Sequence, residues 1–288
     1  MVEVRDRVAA SWRPEDEART RIGAVGLKVR DLDRLVSFYR DAIGLDVVDT
    51  RPGEAVLGAG DEALLHLAED RDARLDDPRE AGLFHTAFLL PDRAALGRWL
   101  RHAGDTGLQL EGASDHLVSE AVYLSDPEGN GIEIYADRRP EEWQWSEGRV
   151  GMETLPLDVA SLLAAALGSW TGMPAGATIG HIHLRVGTLD DAVRFYGDGL
   201  GFEVVAEYPG ARFLSRQNYH HHIGTNIWRS RGSGRRDGSR TGLEWFSIVL
   251  DPEGFDALGA KLGKPTGGHY EVEDPWGTRV RLSRTPAS

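Results

Sequence analysis

The sequence predicts an α+β fold in which four β-α-β-β-β units are arranged as two pairs. The main observation is an internal repeat: residues 22–48 and 179–205 align without a gap at an offset of 157, and 13 of the 27 aligned positions are identical. A period this long indicates whole domains or large half-domains, because solenoid repeats span only roughly 20 to 50 residues. A second observation is that each half restarts the same pattern, with GLFHTAFLL at 82–90 and GLEWFSIVL at 242–250.

The first unit shows how the elements follow each other. Residues 22–29 alternate as a half-buried strand does, and Asp31 then precedes a run of apolar residues at helical spacing. Gly44 is placed to end that helix, and LDVVDT begins the next strand. Two more strands are expected around residues 55–57 and 63–67.

The second unit has the same order. A strand at 82–90 is followed by a helix that opens at Pro91 and Asp92 and ends near Gly104, and two strands then flank the turn at 126–129. The second half of the chain repeats this turn, with DPWGTRVRL in the place of DPEGNGIEI. The predicted organisation is an N-terminal extension (1–20), a first domain (21–140), a connector with one short helix (141–178) and a second domain (179–288).

Composition excludes several classes of function. The 46 acidic and 33 basic residues give a net charge of −13, which disfavours nucleic acid as a partner because phosphate binding requires a basic face. No apolar run approaches the roughly 20 residues that span a bilayer, so no membrane partner is expected. The chain has no cysteine and therefore no disulfide, which favours a cytoplasmic location.

Motifs at the ends of the units carry a family resemblance. The pattern LxVxDLxxxxxFYxDxxGL at 27–45 and DPxGNxIE at 126–133 resemble the vicinal oxygen chelate superfamily, which includes glyoxalase I, bleomycin-resistance proteins and type I extradiol dioxygenases. GLFHTAFLLPDR, GHIHLRV and YHHHIGTNIW are similar to the catechol-2,3-dioxygenase group within it. The resemblance implies that paired units curl into cup-shaped domains of mixed sheet, with a metal ion inside a cup.

The same resemblance implies a set of metal ligands. Superfamily ligand positions in units one and two fall on Ala24, His66, His85 and Glu133. Alanine cannot ligate, so His66, His85 and Glu133 would supply two imidazoles and one carboxylate, a set that suits Fe(II) first and Mn(II) or Zn(II) as alternatives. A histidine in an apolar strand such as ALLHL can equally be a packed residue without a ligand role.

In units three and four, Trp245 and Arg281 occupy ligand positions and cannot bind a cation, since one lacks a lone pair and the other is positively charged. This predicts that their cup holds no metal in the usual extradiol arrangement. Strand alternation nevertheless offers an alternative cluster in the second half of the chain, made of His181, His183, His220 and His222.

The resemblance predicts a metal-dependent extradiol dioxygenase that acts on a small catechol-like substrate and dioxygen. Three histidines are candidates for acid or base catalysis: His116 in SDHLVSE, and His221 and His222 in the triple histidine. Two alternatives stay open, namely a glyoxalase or isomerase-like metalloenzyme and a non-catalytic binding protein of the bleomycin-resistance type. A homodimer is compatible with the sequence.

Overall fold

A computed structural model of the chain describes residues 19–285, so the predicted N-terminal extension (1–20) lies almost wholly outside the described residues. The first unit contains one helix and four strands, as the sequence predicts. Asp31 caps the helix by accepting a hydrogen bond from the backbone N–H of Arg34, and Gly44, at a φ of 90°, follows the π-helical turn that ends it. The elements are β1 (Arg21–Val29), α1 (Leu32–Phe38) with the turn Tyr39–Ile43, β2 (Asp46–Arg51), β3 (Glu54–Ala59) and β4 (Glu62–Glu69).

The second unit follows the same order. Asp92 caps its helix through the backbone N–H of Ala95, and Gly107, at a φ of 69°, stops it three residues beyond the predicted end. A connector with one short helix then leads to the second half. The elements are β5 (Gly82–Leu89), α2 (Arg93–Thr106), β6 (Gly112–Asp115), β7 (Ser119–Ser125), β8 (Gly131–Asp137), β9 (Trp145–Ser146), β10 (Arg149–Val150), β11 (Leu155–Pro156) and α3 (Val159–Ala165).

The second half repeats the pattern, except that its last unit has three strands instead of four among the described residues. Its elements are β12 (Thr178–Arg185), α4 (Leu189–Ala192) with the π-helical turn Val193–Gly199, β13 (Glu203–Tyr208), β14 (Ala211–Ser215), β15 (Ile223–Asn226), β16 (Gly242–Leu250), α5 (Pro252–Leu262), β17 (His269–Glu273) and β18 (Arg279–Arg284).

The units pair into two mixed sheets, which confirms the predicted fold class. Sheet one has the strand order β17-β18-β16-β1-β4-β3-β2 and joins units one and four. Sheet two has the order β11-β6-β7-β8-β5-β12-β15-β14-β13 and joins units two and three. The expectation that units adjacent in the chain share a sheet is therefore wrong. Each of the two predicted domains, 21–140 and 179–288, contributes strands to both sheets. Their bounds stay a prediction.

The physical reason lies at the first strand of each unit. β1 pairs antiparallel with β16, and β5 pairs antiparallel with β12, so each first strand covers the edge of another first strand. The internal repeat shows that the chain has four first strands. Any two of them could form the same backbone hydrogen bonds, so the repeat does not determine which first strands pair. One apolar core contains residues from both sheets, including Ile22, Phe88, Ile182 and Phe246. Among the described residues, no helix is long and apolar enough to cross a membrane.

Candidate metal centre and its cavity

Three neighbouring strands at the centre of sheet two each contribute one polar side chain to the same point. β5 carries His85, β8 runs parallel to it and carries Glu133, and β12 runs antiparallel on its other side and carries His181. Ala87 of β5 pairs with Glu133 on one side and with His181 on the other, and His85 lies two residues before Ala87 on the same strand. The side chains of His85, Glu133 and His181 therefore lie on one face of the sheet. The methyl side chain of Ala87 leaves this face open between the polar groups.

The donor atoms of these residues face each other. Nε2 of His85 lies 3.0 Å and Nε2 of His181 lies 3.1 Å from the same oxygen, Oε2 of Glu133, and the two nitrogens are 3.3 Å apart. All three side chains are buried. Ligand atoms held at about 2.0–2.2 Å from one ion lie roughly 3 Å from each other, so this spacing fits a single divalent metal ion.

The charge states also suit a cation. Burial alone would raise the pKa of the Glu133 carboxyl, but the imidazoles of His181 and His85 outweigh burial and hold that pKa well below its usual range. Burial lowers the pKa of His181 to about 4, against the opposing effect of Glu133. At neutral pH the cluster therefore offers one carboxylate and an imidazole with a free lone pair at His181.

A cavity of about 480 Å³ opens over the cluster. One wall is aromatic: the Phe84 ring lies 4.8 Å from the His183 ring and 5.4 Å from the Trp228 ring, measured between centroids. The Nε2 of His183 accepts a hydrogen bond from the side-chain amide of Asn226 at 3.0 Å, so this histidine lines the cavity with its ring held in place. Gly224 lies opposite His183, and a Cβ there would come within 2.9 Å of the imidazole.

His116 and Tyr123 form a hydrogen-bonded pair at the cavity wall. Nε2 of His116 lies 2.6 Å from the Tyr123 hydroxyl, and Nδ1 of His116 lies 2.7 Å from the backbone oxygen of Glu153. Burial raises the pKa of Tyr123 well above its usual value, and Glu133 adds to this effect. The phenol therefore keeps its proton and can act as a hydrogen-bond donor.

The triple histidine does not lie on a strand but in the turn before β15, so its side chains diverge. His221 lines the cavity, and its ring lies 4.1 Å from that of His181 between centroids. His220 points to Asp137, with Nε2 at 2.8 Å from Oδ1. His222 points away from the cavity, where Nε2 donates to the backbone oxygen of Thr20 at 3.0 Å.

The alternative cluster predicted from strand alternation is therefore not assembled. Of its four members, His181 joins His85 and Glu133, while His183 lines the cavity and bonds to Asn226. His220 and His222 have other partners. Among residues 19–285, the group formed by His85, Glu133 and His181 is the one whose histidine and carboxylate donors come close enough to share an ion.

His66, the third ligand expected from the sequence, lies on β4 in sheet one and does not join His85 and Glu133. Its ring packs against Trp245 at 5.1 Å between centroids, and the Arg281 guanidinium lies 3.9 Å from the same indole. Burial lowers the pKa of His66, and Arg281 lowers it further. Gly26 makes room for the indole, since a Cβ there would lie 2.1 Å from Nε1 of Trp245. These half-buried side chains pack against one another on sheet one, away from His85 and Glu133.

The chain is similar to proteins of one superfamily. The model of the Glyoxalase/Bleomycin resistance protein/Dioxygenase superfamily matches residues 21–134 and 178–248. The chain belongs to this superfamily. Catechol-2,3-dioxygenase of Bacillus subtilis (strain 168) is 40% identical over 261 residues, which are 88% of this chain and 90% of that protein. Within the superfamily, the similarity is therefore to a dioxygenase-like oxidoreductase.

Two solved structures share the fold of this chain. A protein from Bacillus subtilis subsp. subtilis str. 168 superposes with a TM-score of 0.59 at 13% identity, over 94% of this chain and 87% of its own. Glyoxalase I from Zea mays superposes with a TM-score of 0.54 at 16% identity, over 92% of each chain. At these identities the likeness shows the fold alone.

Several cavity residues were not singled out from the sequence. Arg185 lies two positions after His183 on β12, so strand alternation would have placed it on the same face. It is buried, lines the cavity and forms an ion pair with Asp76. Phe84 and Trp228 carry no sequence signal of this kind, because their approach depends on the pairing of units two and three.

Proposed function

We propose that this chain is an extradiol-type dioxygenase that opens the ring of an aromatic vicinal diol, using Fe(II) held by His85, Glu133 and His181. The observation that carries the proposal is the buried group of two imidazoles and one carboxylate, whose donor atoms lie 3.0 to 3.3 Å apart beneath an open cavity. The 40% identity to a catechol-2,3-dioxygenase supports the same reaction class.

Two imidazoles and one carboxylate are the ligand set typical of non-haem Fe(II) sites that keep coordination positions open for substrate and oxygen. Mn(II) and Zn(II) suit the same donors and are the alternative ions. When bound, the divalent metal supplies the place where the diol and dioxygen react. In this reaction both oxygen atoms enter the ring-opened product, so no external reductant is consumed.

The cavity walls fit an aromatic ring. Phe84, Trp228 and Phe213 supply flat apolar surfaces around the donors, and ring-to-ring contact of this kind positions a planar substrate while it excludes water. The size of the cavity, about 480 Å³, leaves room for a single ring with a substituent.

Two groups beside the donors can move or hold a proton. His221 lies on the cavity side of His181 and is placed to accept a proton from a diol oxygen. Nδ1 of His116 donates to the backbone oxygen of Glu153, so in a neutral His116 the Nε2 accepts the proton of the Tyr123 hydroxyl. The Tyr123 oxygen, which stays protonated, can then accept a hydrogen bond from a hydroxyl of the bound substrate. Of the three catalytic candidates from the sequence, we therefore assign roles to His221 and His116 and none to His222.

The two alternatives make different demands on the site. A glyoxalase-like enzyme resembling those of the superfamily would use two glutamates, whereas this donor group contains one carboxylate. A binding protein does not need buried donors aimed at one point, and burying a carboxylate and two imidazoles together costs free energy. A cytoplasmic location and a homodimer remain predictions.

The test is turnover of catechol by protein loaded anaerobically with Fe(II), and in parallel with Mn(II) and Zn(II), then exposed to air. We expect one dioxygen consumed per semialdehyde formed with iron. His181→Ala should abolish turnover, whereas His66→Ala, a histidine of sheet one, should retain it. Iron-loaded protein that leaves catechol unchanged but isomerises a carbonyl compound would contradict the dioxygenase proposal and favour the glyoxalase-like alternative.

A further inference from the structure

A chain of three hydrogen-bonded side chains leads away from the metal centre through the interior of sheet two. Oδ1 of Asp137 lies 2.8 Å from Nε2 of His220, and Nδ1 of His220 lies 2.8 Å from Nδ1 of His221. His221 in turn lies beside His181 at the cavity. Asp137 is four residues after Glu133 on β8, so one strand carries both a proposed metal ligand and the far end of this chain.

The direction of each hydrogen bond follows from what each group can donate. A carboxylate only accepts, so Nε2 of His220 must carry the proton shared with Asp137. In a neutral His220, Nδ1 then holds a lone pair, and the proton between the two imidazoles belongs to Nδ1 of His221. The remaining nitrogen of His221, Nε2, is left without a proton.

The surroundings hold this chain in one arrangement. The ring of His220 lies 4.1 Å from the ring of Tyr219 and 5.1 Å from that of Trp143, measured between centroids. Trp143 is itself fixed, because its Nε1 donates to the backbone oxygens of Val118 and Arg138 at 3.1 Å each. His220 has no room to turn its ring without displacing these aromatic side chains.

We propose that Asp137 and His220 are positioning residues that fix His221 in the tautomer whose Nε2 lone pair faces the metal cavity. The role rests on the proposed function, in which a diol oxygen must lose a proton on binding. In that step the O–H bond of the diol breaks and an N–H bond forms at Nε2 of His221, while its Nδ1–H stays donated to His220. The other tautomer of His221 would present an N–H to the diol and could not accept the diol proton.

The primary test does not require a metal. Long-range ¹H–¹⁵N correlation spectra of the metal-free protein distinguish a protonated from an unprotonated ring nitrogen, and we expect Nε2 of His221 to be unprotonated. In Asp137→Asn the carboxamide can donate to Nε2 of His220, which reverses the donors along the chain and places the proton on Nε2 of His221. His222→Gln, in the same turn but bonded to Thr20, should leave the tautomer of His221 unchanged.

Iron-loaded Asp137→Asn should keep its metal content, with kcat lowered by about 10²- to 10⁴-fold and KM changed little, as expected when a base is held in the wrong tautomer. A protonated Nε2 in the unmodified protein, or a tautomer unaffected by Asp137→Asn, would overturn the proposal. If the tautomer is as expected but the iron-loaded protein cleaves no diol, the proposed function fails while the arrangement of the three residues stands.

Discussion

The hydroxyl of Tyr39 donates a hydrogen bond to Oδ2 of Asp126 at 3.0 Å, and this bond joins unit one in sheet one to unit two in sheet two. Tyr196 makes the same bond to Asp274 at 2.9 Å between units three and four. Units that are consecutive in the chain are thus tied together across the sheets, although they do not share one. The repeat of the FY and DP motifs in the sequence corresponds to these two bonds.

Removing either hydroxyl should weaken the contact between the sheets. Tyr39→Phe is expected to lower the free energy of unfolding by about 1.5–3 kcal/mol, because the acceptor is a buried carboxylate. Tyr196→Phe should have a similar effect. Denaturant titration measures the change, with Tyr208→Phe at the end of β13 as the control. Equal stability of Tyr39→Phe and Tyr208→Phe would mean that the bond to Asp126 contributes little.

Metal binding should depend on the residues of sheet two. His85→Ala, Glu133→Ala and His181→Ala are each expected to reduce the metal content from about one ion per chain to a small fraction of it, because each removes a ligand from a set of three. His66→Ala is the matched control and should keep full occupancy, since His66 packs against Trp245. Elemental analysis after anaerobic reconstitution gives the answer. Loss of metal in His66→Ala would restore the ligand set expected from the sequence.

Two buried threonines offer a matched pair for the energetics of sheet two. The hydroxyl of Thr86 is buried and has no hydrogen-bond partner in the described structure, whereas that of Thr225 donates to the backbone oxygen of Arg212 at 3.2 Å. Thr86→Val should raise the free energy of unfolding by about 1 kcal/mol or leave it unchanged, since an unpaired polar group leaves the interior. Thr225→Val should lower the free energy of unfolding by a similar amount, because it removes the hydrogen bond to Arg212. Thermal or urea unfolding tests both, and a large loss of stability in Thr86→Val would point to a partner for its hydroxyl.

Acid sensitivity should come in part from His222. Burial lowers its pKa to about 3, from an ordinary value of 6.5. Between these two values the unfolded chain binds a proton that the folded chain excludes, so stability is complete above about pH 6.5 and falls as the pH drops toward about 3. The slope for one such group is about 1.4 kcal/mol per pH unit. His222→Gln should flatten the dependence by this amount, and the control Gln109→Ala, which replaces an exposed side chain that does not ionise, should not. Identical slopes in all three proteins would contradict the assignment.

Local pattern was sufficient to predict the elements, and the family resemblance implied two of the three proposed ligands. His85 and Glu133 each lie within a motif that strand alternation places on a definite face, and their pairing through β5 and β8 is local to one unit. The third position depends on which first strand lies next to β5. Because β12 takes that place, His181 joins the group and His66 does not. The choice is made by packing between distant segments, about which the sequence of a single unit carries no information.

The histidines before β15 illustrate a second limit. Alternation along a strand predicts that His220 and His222 point one way and His221 the other, but this segment is a turn entered through Gln217 and Asn218, both at positive φ. The single side chain that reaches the cavity, His221, was among the candidates for catalysis. The hydrogen bonds that join Asp137, His220 and His221 depend on the geometry of the turn and do not follow from the sequence pattern.

The pairing of the units also determines the order in which the chain can complete its sheets during synthesis. All strands of sheet two lie between residues 82 and 226, whereas Arg21 of β1 must wait for Val249 of β16. As the chain leaves the ribosome from its N-terminus, the nested inner units can assemble sheet two first, and the outermost segments then close around it. Until β16 has emerged, the β1 edge that β16 will cover remains open, so a chain that ends before residue 242 would have a complete sheet two and an unpaired, aggregation-prone edge.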